Sequence, residues 1–321
     1  MTNHKDFRKI KYFCGSMSIE IVDAIIKYYK QKQNVGIISS RRQVDTDCGY
    51  VNNWSTSSFH EYIRPISNIV TARDHGGPDQ GDSNDNGIES LINDCIFFDL
   101  IHIDPWKVCD SIDDGAKFTE ELIKKCYKKN NNILFEIGTE ENIKKIDPLE
   151  LDFLISYLKQ NLLEDEYDKI IYAVIQSGMK IKNGQNSINF STSRTKQYLH
   201  ICKKHNILSK EHNTDYCDPK IFRELFSMGL NCVNLAPQIA KIHSSCMIDE
   251  LEDDQIDDLF GLCLKTNRWQ KWFDEGFNPE ENRKALILSC GHYAFYEFGR
   301  KIKNTEALNT KLSSFLNIAL P

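Results

Sequence analysis

The chain has 321 residues, 40% of them hydrophobic, and its 46 acidic and 40 basic side chains leave a formal net charge of -6. That length admits one large α/β barrel or two ordinary domains, and the charges are mixed with no basic block or stripe, which argues against nucleic acid as a partner. No apolar run approaches the roughly 18 residues that span a bilayer, and residues 1–10 are polar rather than signal-like, so the expectation is a cytoplasmic protein without a membrane partner.

The eleven cysteines are scattered from Cys14 to Cys290 without CxxC pairs, a pattern of reduced thiols rather than disulfides or a zinc finger. Cys14, Cys48 and Cys232 lie near predicted strand ends and read as small buried apolar residues.

In chain order, short apolar, β-branched runs occur at residues 11–15, 34–40, 68–73, 99–103, 132–138, 169–176, 207–211 and 230–235. Amphipathic segments lie between them, among them residues 19–30, 119–128, 149–162 and 219–228, with apolar residues recurring at three and four. Eight such units at roughly thirty-residue spacing are the period of a (β/α)8 TIM barrel. A dinucleotide-binding open sheet is excluded because the first turn reads Cys14-Gly15-Ser16-Met17-Ser18 in place of GxGxxG. The Asp-, Asn- and Gly-rich stretch 76–87 is a loop, either a lid or a plain solvated connection. Residues 1–248 are assigned to the barrel. Residues 249–321, with aromatic clusters at Trp269, Trp272 and Phe273 and at Tyr293, Phe295, Tyr296 and Phe298, form a C-terminal helical extension expected to pack on it.

A barrel of this kind places its chemistry just after each strand. The second strand delivers Arg41, Arg42, Gln43 and Asp45; the third, Asp74 and His75; the fourth, Asp104 and Lys107; the fifth, Glu140 and Glu141. Gln176 follows the sixth, His212, Thr214 and Asp215 the seventh, and Asn234 and Gln238 the eighth. His75, His212 and Glu140 supply two histidines and a carboxylate, a common catalytic zinc set that leaves one position open; Glu141 is the substitute third ligand. Such an ion would polarise a ketose carbonyl and favour an enediolate. Asp74, with Asp104 and Glu140, is the catalytic candidate. Arg41 or Arg42 would hold a phosphate or carboxylate, and Gln43, Lys107, Gln176, Asp215 and Asn234 complete the expected substrate contacts. His102 shares the parity of Asp104 and reads as a satisfied core histidine. Glu136 shares the parity of Glu140, points into the barrel and needs a partner that the sequence does not reveal.

The blocks Gln43-Val44-Asp45 with Gly49-Tyr50, Asp74-His75-Gly-Gly-Pro, Ile101-His102-Ile103-Asp104, Ile137-Gly138-Thr139-Glu140, Gln176-Ser-Gly178 and His212-Asn-Thr214-Asp215-Tyr216 resemble, in order, the accessory-subunit family of tagatose-bisphosphate aldolase. The resemblance implies a class II aldolase-type barrel whose catalytic members use a divalent metal, usually zinc. It carries the proton-transfer carboxylate to Asp74 and metal-binding histidines to His75 and His212. Catalytic members have a further histidine after the fifth strand, where this chain has Glu140 and Glu141, and their glycine-rich phosphate loop is replaced by Asn213 to Tyr216.

Three readings follow. The first is a metal-dependent aldolase or epimerase acting on a ketose or sugar phosphate. The second is a non-catalytic accessory subunit whose partner is an aldolase catalytic subunit. The third is a Schiff-base aldolase using Lys180 or Lys210. A homo-oligomer is expected.

Overall fold

The computed structural model describes residues 6–65, 68–82, 85–182, 184–187 and 189–318. Its strands are β1 (Tyr12–Gly15), β2 (Val35–Ser40), β3 (Thr71–Gly76), β4 (Leu100–Ile103), β5 (Leu134–Ile137), β6 (Ile170–Ile175), β7 (Lys180–Lys182), β8 (Gln185–Ser187), β9 (Leu208–Glu211) and β10 (Cys232–Leu235). Eight of these close a parallel barrel in the order β1-β10-β9-β6-β5-β4-β3-β2, while β7 and β8 form a separate antiparallel hairpin. Each of the eight apolar runs read from the sequence is one barrel strand. The hairpin inserted after β6 was not anticipated.

Strand parity divides the interior into two apolar layers. Phe13, Ile38, Ala72, Leu100, Tyr172 and Cys232 plug the N-terminal half of the barrel. Residues of the opposite parity, such as Ile37, Ile101, Phe135, Ala173 and Val233, pack outward into the much larger core shared with the helices. Those helices start where the sequence supplies caps. Ser18 accepts from the Ile21 N–H to open Ile19–Lys32, and Asp147 and Glu150 form a reciprocal capping box on Pro148–Asn161. The helix expected over 119–128 begins earlier, at Ile112, because Ser111 caps a first turn of polar residues and glycine that carries no apolar signal.

Beyond the helix Pro237–Ile248, residues 253–318 contribute further helices. The last of them, Thr305–Ile318, packs on Ile19–Lys32 and Pro237–Ile248, and the apolar side chains of the whole segment join the barrel's outer core. No helix among the described residues is long and apolar enough to cross a membrane. None of the eleven cysteines is paired; Cys14 and Cys232 are buried as expected, but Cys48 is exposed.

A buried ion pair ties β3 to the helix Ile88–Asp94, and its arginine also reaches β2. Arg73 Nε donates to Asp94 Oδ2 at 2.6 Å and Nη2 to Oδ1 at 3.0 Å, while Nη1 donates to the carbonyls of Ser39 and Val44 at 2.9 and 2.8 Å. Both side chains are fully buried. Removing one partner strands a charge in the core, so Asp94→Ala is expected to cost about 3–5 kcal/mol of folding stability, measured by urea unfolding; a loss under about 1 kcal/mol would mean that the pair contributes no more than a surface ion pair does.

Candidate active site

At the C-terminal mouth the interior parity turns polar: Leu100 gives way to His102 and Asp104, Leu134 to Glu136, and Leu208 to Lys210 and His212. Asp74 belongs to the same inward set on β3. His75 would point outward by alternation, but it sits at a register shift between Arg73 and Gly76 with a positive φ of 46°, and this bulge turns its ring into the mouth beside Asp74.

Three imidazoles and one carboxylate converge there. The ligand-type atoms of Asp74, His75, His102 and His212 all lie within 4.8 Å of one another. Asp74 Oδ1 is 3.7 Å from His75 Nε2, 3.8 Å from His102 Nδ1 and 3.8 Å from His212 Nδ1. Each ring is fixed through its other nitrogen: His75 Nδ1 to Asp104 Oδ2 at 2.6 Å, His102 Nε2 to the Gly138 carbonyl at 3.0 Å, and His212 Nε2 to Glu136 Oε1 at 2.6 Å. Because each of those partners is an acceptor, a ring proton belongs on the bonded nitrogen; His75 Nε2 and His212 Nδ1 face the common point, while His102 Nδ1 also accepts from the His75 N–H at 3.3 Å. His212 Nδ1 and Asp74 Oδ1 are buried without a hydrogen-bond partner in the structure. Unsatisfied buried acceptors aimed at one point, on rings oriented by acceptors behind them, are the donor set a divalent transition metal takes.

The electrostatics follow from burial and crowding. Burial opposes ionisation of Asp74, yet the surrounding histidines, His75 foremost, hold it well below the usual carboxylate range. Burial likewise opposes charging of His75, but Asp74 and Asp104 outweigh it and raise the ring to about 10. His212 goes the other way: burial lowers it to about 4 despite Glu136 and Asp74. Glu136 is held ionised against its burial by Lys210 and His212, and Lys210 Nζ donates to its Oε2 at 2.6 Å.

A cavity of about 350 Å³ opens over this cluster, lined by Asp74, His75, Glu140, His212 and Asn234 among others. A larger depression of about 1370 Å³ lies at the opposite end, beside Phe7 and Tyr167. It holds none of the converging ligand atoms, and barrels of this kind carry their chemistry at the other face.

The sequence-predicted residues fall into two groups. Asp74, His75, Glu140, His212, Asp215 and Asn234 share the cavity, and both amide atoms of Asn234 are buried without a partner in the structure. Burial raises the Glu140 carboxyl. Glu140 is nevertheless outside the four converging residues; His102, expected to be a core residue, takes the place assigned to it as third ligand. Glu141, named as its substitute, pairs with Arg194 instead.

The structure gives the remaining residues protein partners of their own. Asp104 has its carboxylate committed to His75, to the Thr139 hydroxyl at 3.2 Å and to the Trp106 N–H at 3.4 Å, so it positions a ring rather than meeting substrate. Arg41 is buried and saturated by Asp45 and Asp85, and Arg42 pairs with Asp82 at 3.1 Å. Gln43 bonds the Ser40 N–H and Met17 Sδ. Gln176 spans the Thr139 and Lys144 carbonyls and the Ile146 N–H. Lys107 donates to the Asp79 carbonyl at 2.8 Å. Lys210 is sealed in its ion pair with Glu136, with neither side chain exposed, which removes it as a Schiff-base nucleophile. The loop after β3 is fastened rather than merely solvated, through Asp79, Gln80, Asp82 and Asp85.

Reading the sequence missed Lys271 and Trp272, which line the cavity from the C-terminal extension, and Asn142, Ile181 and Asn213. The hairpin reaches the mouth as well, where Asn186 Nδ2 donates to the Asn213 and Asp215 carbonyls at 2.7 and 2.9 Å. Asn213 could have been suspected as the neighbour of His212. Lys271 lies at no strand end and gives no local signal.

The architecture is thus an α/β barrel with a polar, histidine-rich mouth, and solved structures share the barrel fold. No protein-family model matches the sequence, and no curated protein matches it either. A structure described as a probable tagatose 6 phosphate kinase from Sinorhizobium meliloti is similar with a TM-score of 0.70 at 16% identity, over 97% of this chain and 88% of that one. Fructose-bisphosphate aldolase from Campylobacter jejuni aligns with a TM-score of 0.57 at 12% identity, covering 98% and 92%. The fructuronate-tagaturonate epimerase UxaE from Cohnella laeviribosi aligns with a TM-score of 0.61 at 9% identity, covering 97% and 81%. At these identities the likeness establishes the shared fold.

Two measurements check this geometry. Asp104→Asn removes the carboxylate that fixes His75, and the affinity for zinc should fall about 10- to 100-fold without loss of fold; unchanged zinc affinity by competition with a chelating dye would count against the oriented site. Burial raises the Asp215 carboxyl to about 7 although backbone N–H groups of Ala236 and Gln238 donate to it. A carboxyl whose folded value lies above the unfolded value of about 3.9 contributes stability that is present below about pH 4 and is lost as pH rises through the folded value. Asp215→Asn should therefore flatten the decline in stability between about pH 4 and 7, read from urea melts at stepped pH against wild type.

Proposed function

We propose that this chain is a metal-dependent enzyme of the class II aldolase type, acting on a ketose or its phosphate ester by aldol cleavage or epimerisation through an enediolate. The observation that carries the reading is the convergence of His75, His102, His212 and Asp74 on one point in the cavity, with every ring held from behind. The names of the fold neighbours, which include a fructose-bisphosphate aldolase and a fructuronate-tagaturonate epimerase, support the same substrate class. Tagatose phosphates and tagaturonate are the first compounds to assay.

In this reading the three histidines hold a divalent ion, zinc first. When bound, such an ion polarises the substrate carbonyl and stabilises negative charge on its oxygen. Asp74 is ionised and accepts the proton, either from the hydroxyl whose deprotonation begins carbon-carbon cleavage or from the carbon next to the carbonyl in epimerisation. Glu140, raised by burial, is the acid that returns a proton. Asn234 can donate to one substrate hydroxyl and accept from another with its two unpartnered amide atoms. Asp104 and Glu136 keep the rings in register.

The accessory-subunit reading leaned on the histidine missing after the fifth strand. His102 on β4 supplies a third imidazole from a different strand, which favours the enzyme. Asp74→Asn should retain zinc but lose about 100-fold or more in turnover, assayed on the purified chain alone with tagatose phosphates for cleavage and tagaturonate for epimerisation. Zinc-free, inactive protein that raises the activity of a separate aldolase would instead establish the accessory role. Trapping of substrate by borohydride in metal-free protein would establish the lysine mechanism.

A further inference from the structure

One wall of the cavity does not come from the barrel. Lys271 closes the 3-10 turn Arg268–Lys271 of the C-terminal extension, and with Trp272 it faces Asp74, His75 and His212 across the same space of about 350 Å³. Around it the charges are unbalanced. Arg42 Nε donates to Asp82 Oδ1 at 3.1 Å, and Arg268 takes the other oxygen of the same carboxylate. Two guanidinium groups therefore share one carboxylate. Among the described residues Lys271 forms no ion pair; its ammonium lies 4.9 Å from the Trp272 ring centroid and 5.1 Å from that of Tyr293, which Arg268 also approaches at 5.3 Å.

Locally, three cations stand with the single carboxylate of Asp82 between them at the rim of the cavity, across it from Asp74. Burial first, then Arg42 and Arg268, lower the Lys271 ammonium to about 8, so holding its charge there costs free energy. An arriving anion would relieve it. The aromatic faces of Trp272 and Tyr293 hold the ammonium without neutralising it, which leaves its three donors for a ligand. Arg41 cannot serve, since its guanidinium is spent on Asp45 and Asp85.

We infer that Lys271, backed by Arg268 and Arg42, binds an anionic group on the substrate at the end away from the carbonyl, so that the C-terminal extension selects ketoses carrying a phosphate ester or a carboxylate over neutral ones. The inference rests on the proposed function and deepens it. The barrel residues act on the carbonyl end. The extension reads the charged end, and the cavity spans both.

The test uses the full-length, zinc-loaded protein and calorimetric titration with tagatose 6-phosphate, tagaturonate and neutral tagatose. Wild type should bind at least one of the anionic ketoses about tenfold or more tightly than tagatose. Lys271→Gln should abolish that preference while leaving tagatose affinity and zinc content unchanged, and Lys271→Arg should restore much of it. The anion whose binding falls further identifies phosphate or carboxylate as the recognised group. A Lys271→Gln protein that keeps the preference, or a wild type that shows none, overturns the inference. Zinc titration of the same samples reports separately on the metal centre. If it fails, the metal reading falls, and inorganic phosphate titrated into metal-free protein decides on Lys271, its binding being lost in Lys271→Gln if the inference holds and retained if it does not.

Discussion

The mouth of this barrel depends on one buried carboxylate. Glu136 stands where the interior parity of β5 passes from apolar to polar, with no exposure to solvent, and an isolated ionised carboxylate there would be untenable. Lys210, two positions below His212 on the inward face of β9, makes it tenable by reaching past β6 to donate to Oε2 at 2.6 Å, and His212 occupies Oε1 at the same distance. The triad converts a solvation problem into an orientation device. With Glu136 ionised, the His212 proton is drawn to Nε2 and its Nδ1 is left facing the cavity.

The same logic, with different acceptors, sets the other two rings. Asp104 holds His75, and the Gly138 carbonyl holds His102 at a residue whose φ of 95° suits glycine, so that the chain turns its carbonyl towards the neighbouring strand. Counting the ionised groups at the cluster, the carboxylates of Asp74, Asp104 and Glu136 stand against the ammonium of Lys210, which leaves two negative charges when the histidines are neutral. A bound dication would balance them. Without one, His75 carries the compensating proton, which is why its ring sits so far above an ordinary histidine.

Much of this was legible in the sequence, and the failures have physical causes. The barrel strands stood out because β-branched apolar runs buried on both faces need no partner to be recognised. Parity correctly aimed Glu136 and His102 inward. Parity could not say that the two nitrogens of His102 would be held by the Gly138 carbonyl and the His75 N–H, because those partners come from the neighbouring strands β5 and β3. The bulge at His75 hid in the same way: alternation alone would have turned that ring outward, and its place at the mouth was read from its position just after the third run and from the resemblance. Arg41 failed for the opposite reason. Its position after β2 suits an anion site, but the chain folds back at once and Asp45, four residues on, encloses it together with Asp85 from the loop after β3. Lys271 had no periodic or strand-end marker, since its role arises only when the extension packs over the mouth.

The energetics weigh against reading the cluster as residual ornament. Leaving a buried acceptor without a partner costs about 1–3 kcal/mol, and here Asp74 Oδ1 and His212 Nδ1 are both left so, with both amide atoms of Asn234 in the same cavity. The positive φ at His75 adds backbone strain of about 1–3 kcal/mol. A barrel that served only as a scaffold for another subunit would gain stability by replacing these residues with apolar ones, as the N-terminal half of the same barrel already does with Phe13, Leu100 and Tyr172. Buried unpartnered atoms occur elsewhere too, at His243, Ser244 and His292 among others; what marks the mouth is that Asp74 Oδ1 and His212 Nδ1 belong to one converging set of ligand-type atoms.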